Sequence, residues 1–352
     1  MSNPLTWGLV IATYNREKIL PTAIQFAIEQ TRRPVEIVIV DASAHWQETR
    51  NRIAQLLAPD IRLVYVEADV KSASCQRNQG IELATADILF MIDDDTFLYP
   101  DCAEKLMRVY EADPEGKIAG AQPILALEPP TTLNISDRKE AVVISREQAA
   151  SLGPIQRWIW KHVFLMDHKL MWVPYHGGYP RQEVPPAVWQ HNIEQMDTLH
   201  GCRMTFRREI IRAEKFEPLL LAWSAAEDMD ATHRIAHRGA LVEVLDAQAH
   251  HFYSASGRIS RYQATALHVL NQALFLKRNA DNLTRAQTHF FGLMLRRILA
   301  EFFKDSLSRR WTLPQMRGIL VALYYSPTIF NSSMEELEHL YPSMQRRLFQ
   351  NA

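Results

Sequence analysis

Short apolar runs and helix-patterned stretches alternate through the first 125 residues, and each apolar run stops at a cluster of polar residues. The runs are Trp7–Thr13, Val35–Val40, Ile61–Val66 and Ile88–Ile92, the middle ones dense in Val and Ile. Ile19–Gln30, Ala44–Leu57 and Ser72–Ala84 lie between them with helical spacing, and Asp101–Glu111 follows the last. A strand that is apolar on both faces belongs to a sheet covered on both faces. Strand–helix alternation at this spacing predicts an α/β domain with a mostly parallel, doubly wound sheet. Ligands of such sheets bind beyond the carboxyl ends of the strands. The polar clusters fall there: Thr13-Tyr14-Asn15-Arg16, Asp41-Ala42-Ser43 and Asp93-Asp94-Asp95.

The pattern breaks over 126–198, where proline pairs and Gly177-Gly178 interrupt it and Trp158, Trp160, Trp172 and Trp189 cluster. Two readings stand for this insertion: an aromatic acceptor platform, or a small core of its own. Regular elements return at Met204–Arg207 (strand), Arg208–Ala213 (helix), Ala226–Arg238 (helix) and Ala240–Leu245 (strand). After Ser260 the chain reads as helical, with Tyr262–Lys277, Thr288–Lys304 and Pro314–Tyr325 as helices. The organisation expected is a catalytic domain over 1–257 and a helical C-terminal region over 258–352. The first divides into a donor half (1–125), the insertion (126–198) and an acceptor half (199–257).

Hydrophobic residues make up 47% of the 352, enough for a substantial core, and the net charge is −1, which argues against nucleic acid as a partner. The charge is uneven. From Arg258 onward thirteen Lys/Arg face six Asp/Glu, so a basic tail follows an acidic body. That tail is either a solvated helical surface or a peripheral contact with acidic lipid. In Thr288–Lys304 the wide apolar face of Phe290, Phe291, Met294, Leu295, Ile298 and Phe302 is expected to pack against the body of the protein rather than lie on a membrane. Three cysteines without CxxC spacing argue against a disulfide framework or zinc knuckle. With no signal-peptide pattern and no apolar run of spanning length, a cytoplasmic protein is expected, peripheral at the inner face of the membrane if the tail touches lipid.

Three consecutive carboxylates at the end of a buried strand raise one another's pKa, a cost that a cation relieves. Alternate strand residues share a face, so Asp93 and Asp95 can serve one hard divalent ion, Mn²⁺ or Mg²⁺, which would also bridge a diphosphate. The competing reading is an acidic helix cap. Glu227 and Asp228 begin a helix, where carboxylates cap, and a carboxylate in a cleft can also deprotonate a hydroxyl. His250 and His251 follow a strand and can complete a metal site. Arg77 and Asn78 suit phosphate or nucleotide contacts.

The order of these elements resembles glycosyltransferase family 2 with the GT-A fold. The resemblance rests on Leu9-Val10-Ile11-Ala12-Thr13-Tyr14-Asn15-Arg16, Ile37–Ser43, Arg77-Asn78-Gln79-Gly80 and Asp93-Asp94-Asp95, then Arg207-Arg208-Glu209, Glu227-Asp228-x-Asp230 and His250-His251. It covers about residues 5–125 and 199–257. It implies that Thr13, Asn15 and Arg16 line the pocket for base and ribose, joined by Ser43. Asp41 then hydrogen-bonds the base, and Asp93 or Asp94 the ribose or sugar. Asp95 is the principal metal aspartate with Asp93 close by, and His250 is the metal-binding histidine, with His251 in reserve. Asp228 is the general base and Glu227 positions acceptor or sugar. The family often brackets a non-acidic residue between two aspartates. Asp94 stands in that place here, so which pair serves the ion is open. The resemblance further implies an inverting displacement from a UDP-sugar (or a GDP- or dTDP-sugar) to a glycan or lipid-linked acceptor, in cell-surface glycan or lipopolysaccharide biosynthesis. Two alternatives carry different signatures. A sugar-nucleotide nucleotidyltransferase needs a Gly-rich loop after the first strand, which is absent, and a non-catalytic binding module has no need of the acidic pairs.

Overall fold

The computed structural model describes residues 4–131, 153, 155, 158–164, 178–222, 224–254 and 259–350. It divides into two compact units. One comprises 1–141, 180–218 and 227–257, and the other 142–179, 219–226 and 258–352.

The first unit is built on a nine-stranded sheet. Its N-terminal half runs β1 (Trp7–Thr13), α1 (Leu20–Ile28), β2 (Glu36–Asp41), α2 (Trp46–Ala54), β3 (Arg62–Glu67), α3 (Ala73–Leu83) and β4 (Ile88–Ile92). It continues with β5 (Thr96–Leu98), α4 (Cys102–Glu111) and β6 (Ile118–Leu125), then β7 (Ile193–Met196) and β8 (Arg203–Arg207). The helices α5 (Arg208–Glu214) and α6 (Glu227–Ile235) and the strand β9 (Ala240–His251) complete it. The spatial order is β3-β2-β1-β4-β8-β6-β9-β5, with β7 paired to β9. The strands β3, β2, β1 and β4 are mutually parallel, while β8 runs antiparallel between β4 and β6. This is the mostly parallel α/β architecture expected of the GT-A fold, with helices following in the C-terminal unit.

Alternation along the strands explains the two apolar layers. Trp7, Leu9 and Ile11 of β1 join Ile37, Ile39, Ile88 and Phe90 on one side, where α1 and α4 cover them. Val10, Val38, Leu89 and Met91 face the other side, with Ile81 of α3, Ile211 of α5 and Ala231 and Ile235 of α6. Gly80 permits the approach of α3 to β1, since a Cβ there would lie 2.6 Å from Val10 Cγ1. The chain winds outward from β1 through β2 to β3, then returns to place β4 on the other side of β1. The crevice where the winding reverses is therefore bounded by the end of β1 and the end of β4.

Three strands were not legible as such. β6 carries Gly120 and Pro123, β7 lies inside the proline-rich stretch and β5 is three residues long. Each is held by pairing to β8 or β9, contacts that span tens to more than a hundred residues. Of the four tryptophans over 126–198, Trp158 and Trp189 are exposed, while Trp172 and the side chain of Trp160 lie outside the described residues.

The second unit holds the helices α7 (Arg261–Asn279), α8 (Leu283–Leu307), α9 (Pro314–Asn331) and α10 (Met334–Gln350). Ser260 opens α7 with a capping box to Gln263, and Asn282 caps α8. Gly318 lets α9 cross α7 closely, for a Cβ there would meet Tyr262 O at 2.7 Å. The helix α10 escapes sequence reading because Pro342 lies inside it. Burial of Leu337, Tyr341, Met344 and Leu348 along one face overrides that cost. The expectation that the whole apolar face of α8 packs inward needs correction. Phe290 and Met294 are buried, but Phe291, Leu295 and Phe302 are exposed. A stripe that wide exceeds what neighbouring helices cover. Among the described residues, no helix is long and apolar enough to cross a membrane.

Candidate active site

At the switch point, β1 and β4 are joined by a hydrogen bond from Thr13 Oγ1 to Asp94 Oδ2 at 2.7 Å. Gln76 of α3 closes the adjacent gap, its Nε2 donating to Thr13 O at 2.8 Å and Val40 O at 2.9 Å. The loop after β1 then turns through Asn15, whose φ of 52° is left-handed, a conformation that asparagine tolerates better than most residues. The Asn15 amide donates to Ser43 Oγ at 2.7 Å, tying the loops after β1 and β2 together. Asp41, at the end of β2, accepts from Ser43 N at 2.8 Å and from Tyr65 OH at 2.6 Å. Burial and the Asp41 carboxylate push the Tyr65 phenol well up, so it stays a donor. Trp46 stacks on the Tyr65 ring at 6.2 Å, giving this side of the crevice an aromatic wall.

The aspartate run divides three ways. Asp94 is buried between Thr13 and Arg16, whose Nε lies 3.9 Å from Asp94 Oδ1. Burial, then the charge of Asp95, pushes the Asp94 carboxyl up to about 7. Asp95 is buried as well, yet its pKa is lowered. Burial acts against ionisation, and the hydrogen bond and charge of His251, a bond from Ser254 N and the charge of Arg16 outweigh it. Its Oδ1 lies 3.0 Å from His251 Nε2 and its Oδ2 3.7 Å from Arg16 Nη1. Asp93 is the more open of the three, with Oδ1 2.8 Å from Arg77 Nη2 and Oδ2 3.8 Å from His251 Nε2. Burial works against charge on His251, but Asp95 overcomes it and holds the imidazole pKa well above the usual range.

Arg77 links this run to the start of α6. It is buried, pairs with both Asp93 and Glu227, donates to Gly201 O at 3.0 Å and lies over the Phe216 ring. Burial pushes Glu227 up to about 8. The Arg77 charge offsets part of that rise, and the charges of Asp228 and Asp93 add to it. Asp228 is oriented by backbone alone, accepting from Gly201 N and from Met229 N, each at 2.8 Å. A Cβ on Gly201 would lie 3.2 Å from Glu227 Oε1 and 3.3 Å from Asp228 Oδ2, so the two acids close tightly around a residue without a side chain.

The residues singled out from the sequence thus converge, with two differences of placement. His250 turns to Ala126 O through Nδ1 at 3.1 Å and stacks on Phe97, whereas His251 is the histidine at the carboxylates. Alternation along β9 puts neighbouring histidines on opposite faces, and the sequence does not say which face is the site. Asn78 spends its amide on the backbone of Phe216, donating to its O and accepting from its N, both at 2.8 Å. It braces the loop after α5 instead of facing the crevice. Gln76, Tyr65 and Gly201 went unassigned in the sequence reading. A buried glutamine within the Cys75–Gly80 run and a tyrosine amid an aliphatic strand are the signals that mark the first two.

One ligand atom each from Asp93, Asp95 and His251 lies within 4.8 Å of the others. Two carboxylate oxygens and an imidazole nitrogen fit a divalent ion of the Mn²⁺ type. Arg16 Nη1 is buried without a hydrogen-bond acceptor, although it lies near both Asp94 and Asp95. An orphaned guanidinium donor beside such a cluster fits a phosphate or ribose oxygen.

Residues 9–144 match the model of glycosyl transferase family 2. Over 117 residues the chain is 30% identical to the glucosyl-dolichyl phosphate glucuronosyltransferase of Haloferax volcanii, covering 32% of this chain and 36% of that protein. The matches span 29% to 36% of the length of the first three curated relatives. Two solved structures share the fold at 15% identity and a TM-score of 0.50. They are the mannosyltransferase PcManGT from Pyrobaculum calidifontis, in complex with GDP-Man and Mn²⁺, and residues 1–349 of S. aureus TarS, in complex with UDP-GlcNAc. Each alignment covers 99% of this chain, with 86% of the first and 89% of the second.

Proposed function

For a chain that belongs to glycosyltransferase family 2, we propose an inverting transfer of a sugar from a nucleoside diphosphate to an acceptor hydroxyl. The observation that carries this reading is the convergence, in one crevice, of a Thr13–Asp94 seam, an Asp93/Asp95/His251 cluster and the Asp228 carboxylate. The base and ribose lie against Asp41, Ser43, Asn15 and the Tyr65–Trp46 wall, and Arg16 supplies a charge-assisted donor to the ribose or phosphate. Asp93, Asp95 and His251 would hold Mn²⁺ or Mg²⁺, with His251 taking the place expected of His250. An ion held by these residues would supply positive charge against a departing diphosphate. In its absence His251 carries a proton between the same two carboxylates, and Arg16 and Arg77 add neutralising charge. Ligation requires a neutral imidazole, so binding releases that proton.

Asp228 acts as the general base. Its two backbone donors fix the carboxylate and leave lone pairs on both oxygens for an incoming hydroxyl proton. Glu227, paired with Arg77, positions acceptor or donor sugar and is the weaker candidate for base because burial favours its protonated form. A single displacement needs no enzyme nucleophile. The donor is a UDP-sugar in the first instance, with GDP- and dTDP-sugars as competitors, and the acceptor is a glycan or lipid-linked saccharide of surface-polymer synthesis. The relatives' names, one of which acts on a dolichyl phosphate sugar, support that acceptor class.

Thermal shift against a panel of nucleoside diphosphates and their sugars, with Mn²⁺ and with chelator, tests the reading. A ligand bound only by the folded state raises the melting temperature, by about 2.7 kcal/mol of stability at a hundredfold excess over Kd. A rise for one base, dependent on metal, is expected, and no rise with any nucleotide would refute it.

A further inference from the structure

The helix α8 carries its only two carboxylates, Glu301 and Asp305, on its buried side. Its other side is apolar and basic. Phe291, Leu295, Leu299, Phe303, Leu307 and, just past the helix end, Trp311 are all exposed, from 37% for Phe291 to 85% for Leu307. The five on the helix follow at four-residue intervals and so form one ridge along it, with Trp311 in the turn beyond. The short helical turn Ile159–Val163 extends this surface. Phe164 packs on Phe303 at 6.4 Å, Arg296 Nη1 donates to Val163 O at 3.3 Å, and Trp158 and Val163 remain exposed beside them. Between Asn282 and Trp311 no exposed residue is acidic, while Arg285, Arg296 and Arg309 are exposed. A surface helix in water normally mixes both signs of charge and few large apolar groups, and an exposed apolar patch of this extent marks an interaction site.

The chemistry of the patch selects its partner. Large apolar and aromatic side chains beside arginine, with carboxylates excluded, match the boundary between anionic headgroups and acyl chains. A second copy of the chain fits poorly. A two-fold contact through this ridge would bring its arginines toward the same arginines of the other copy without an acid to pair them. We propose that the exposed ridge of α8, with the turn at Ile159–Val163, seats the C-terminal unit on an anionic phospholipid bilayer, lying in the interface and not crossing it. The proposal rests on residues of the C-terminal unit alone and does not depend on the chemistry proposed for the donor crevice.

Co-sedimentation of the full chain with vesicles tests it, using phosphatidylcholine alone and phosphatidylcholine mixed with phosphatidylglycerol, at low and high salt. Three exposed arginines at about a factor of five each predict roughly 100-fold tighter binding to the anionic vesicles at low salt. High salt should erase that preference. The double variant L295E/F303E replaces side chains that are at least half exposed, so the fold should survive, as its circular dichroism would show. It should lose vesicle binding by at least tenfold. R296E/R309E should lose the preference for anionic lipid while keeping weak binding to phosphatidylcholine. Absence of binding to anionic vesicles at low salt would overturn the proposal, as would unchanged binding by L295E/F303E. A dimer that L295E/F303E dissolves, in a protein that ignores vesicles, would also overturn it and assign the ridge to a second copy.

Discussion

Asp94→Asn offers the sharpest test of the electrostatics at the switch point. In the folded protein the Asp94 carboxyl is pushed up to about 7 from an ordinary 3.8, by burial and then by the neighbouring Asp95. An acid that holds its proton more tightly when folded destabilises the fold as the pH rises. The penalty is absent below the unfolded pKa, grows through the interval between the two values and is complete above about pH 7. Between about pH 5.5 and pH 8 this one group should cost roughly 2 kcal/mol at about 1.4 kcal/mol per pKa unit. For a unit of some two hundred residues that corresponds to a fall in Tm of about 4–8 °C. An asparagine at 94 keeps an oxygen for the Thr13 hydroxyl and cannot ionise, so the variant should lack this part of the slope and melt higher than wild type at pH 8. Glu227 and His251 titrate in both proteins, and their contributions largely cancel in the difference. The assay is differential scanning calorimetry of both proteins across that range, in chelator. Parallel Tm–pH profiles would refute the placement of Asp94 as a buried acid under electrostatic stress.

Other consequences are simpler to read. His251→Ala should weaken Mn²⁺ binding by at least tenfold in a calorimetric titration, whereas His250→Ala should leave it near wild type, and the reverse ranking would return the metal site to His250. Asp228→Asn should keep the nucleotide-induced thermal shift and lower transfer by about 10²–10⁴-fold, the range for removing a general base; turnover at the wild-type rate would remove Asp228 from that role. Gly80→Ala drives a Cβ to 2.6 Å from Val10 Cγ1 in the layer between α3 and β1, and should cost about 1–3 kcal/mol in a denaturant melt. A variant as stable as wild type would mean that α3 can shift without penalty.

The parts of this protein written locally were legible from residues alone. Strands β1 to β4 and helices α1 to α4 fall within a few residues of where apolar runs and helical spacing put them, because each carries its own period of apolar residues whichever partner buries it. The polar clusters at the strand ends were likewise legible, since a buried strand must end where its side chains become polar. The later strands were not. β5 and β7 are short, β6 contains glycine and proline, and all three exist because β8 and β9 supply hydrogen-bond partners from far along the chain. The sequence by itself determined the α/β class, the crevice at the carboxyl ends and the inventory of acids and histidines, for these follow from periodicity and residue chemistry. Only the tertiary structure decided which of them meet. It turned His251 rather than His250 toward Asp95, spent Asn78 on a loop and set Arg77 between Asp93 and Glu227, residues 134 positions apart. It also left the basic, apolar ridge of α8 uncovered. The physical reason is common to all of these: the direction of a side chain depends on the twist and pairing of strands and on how much of a helix its neighbours cover, and both are fixed by contacts distant in sequence.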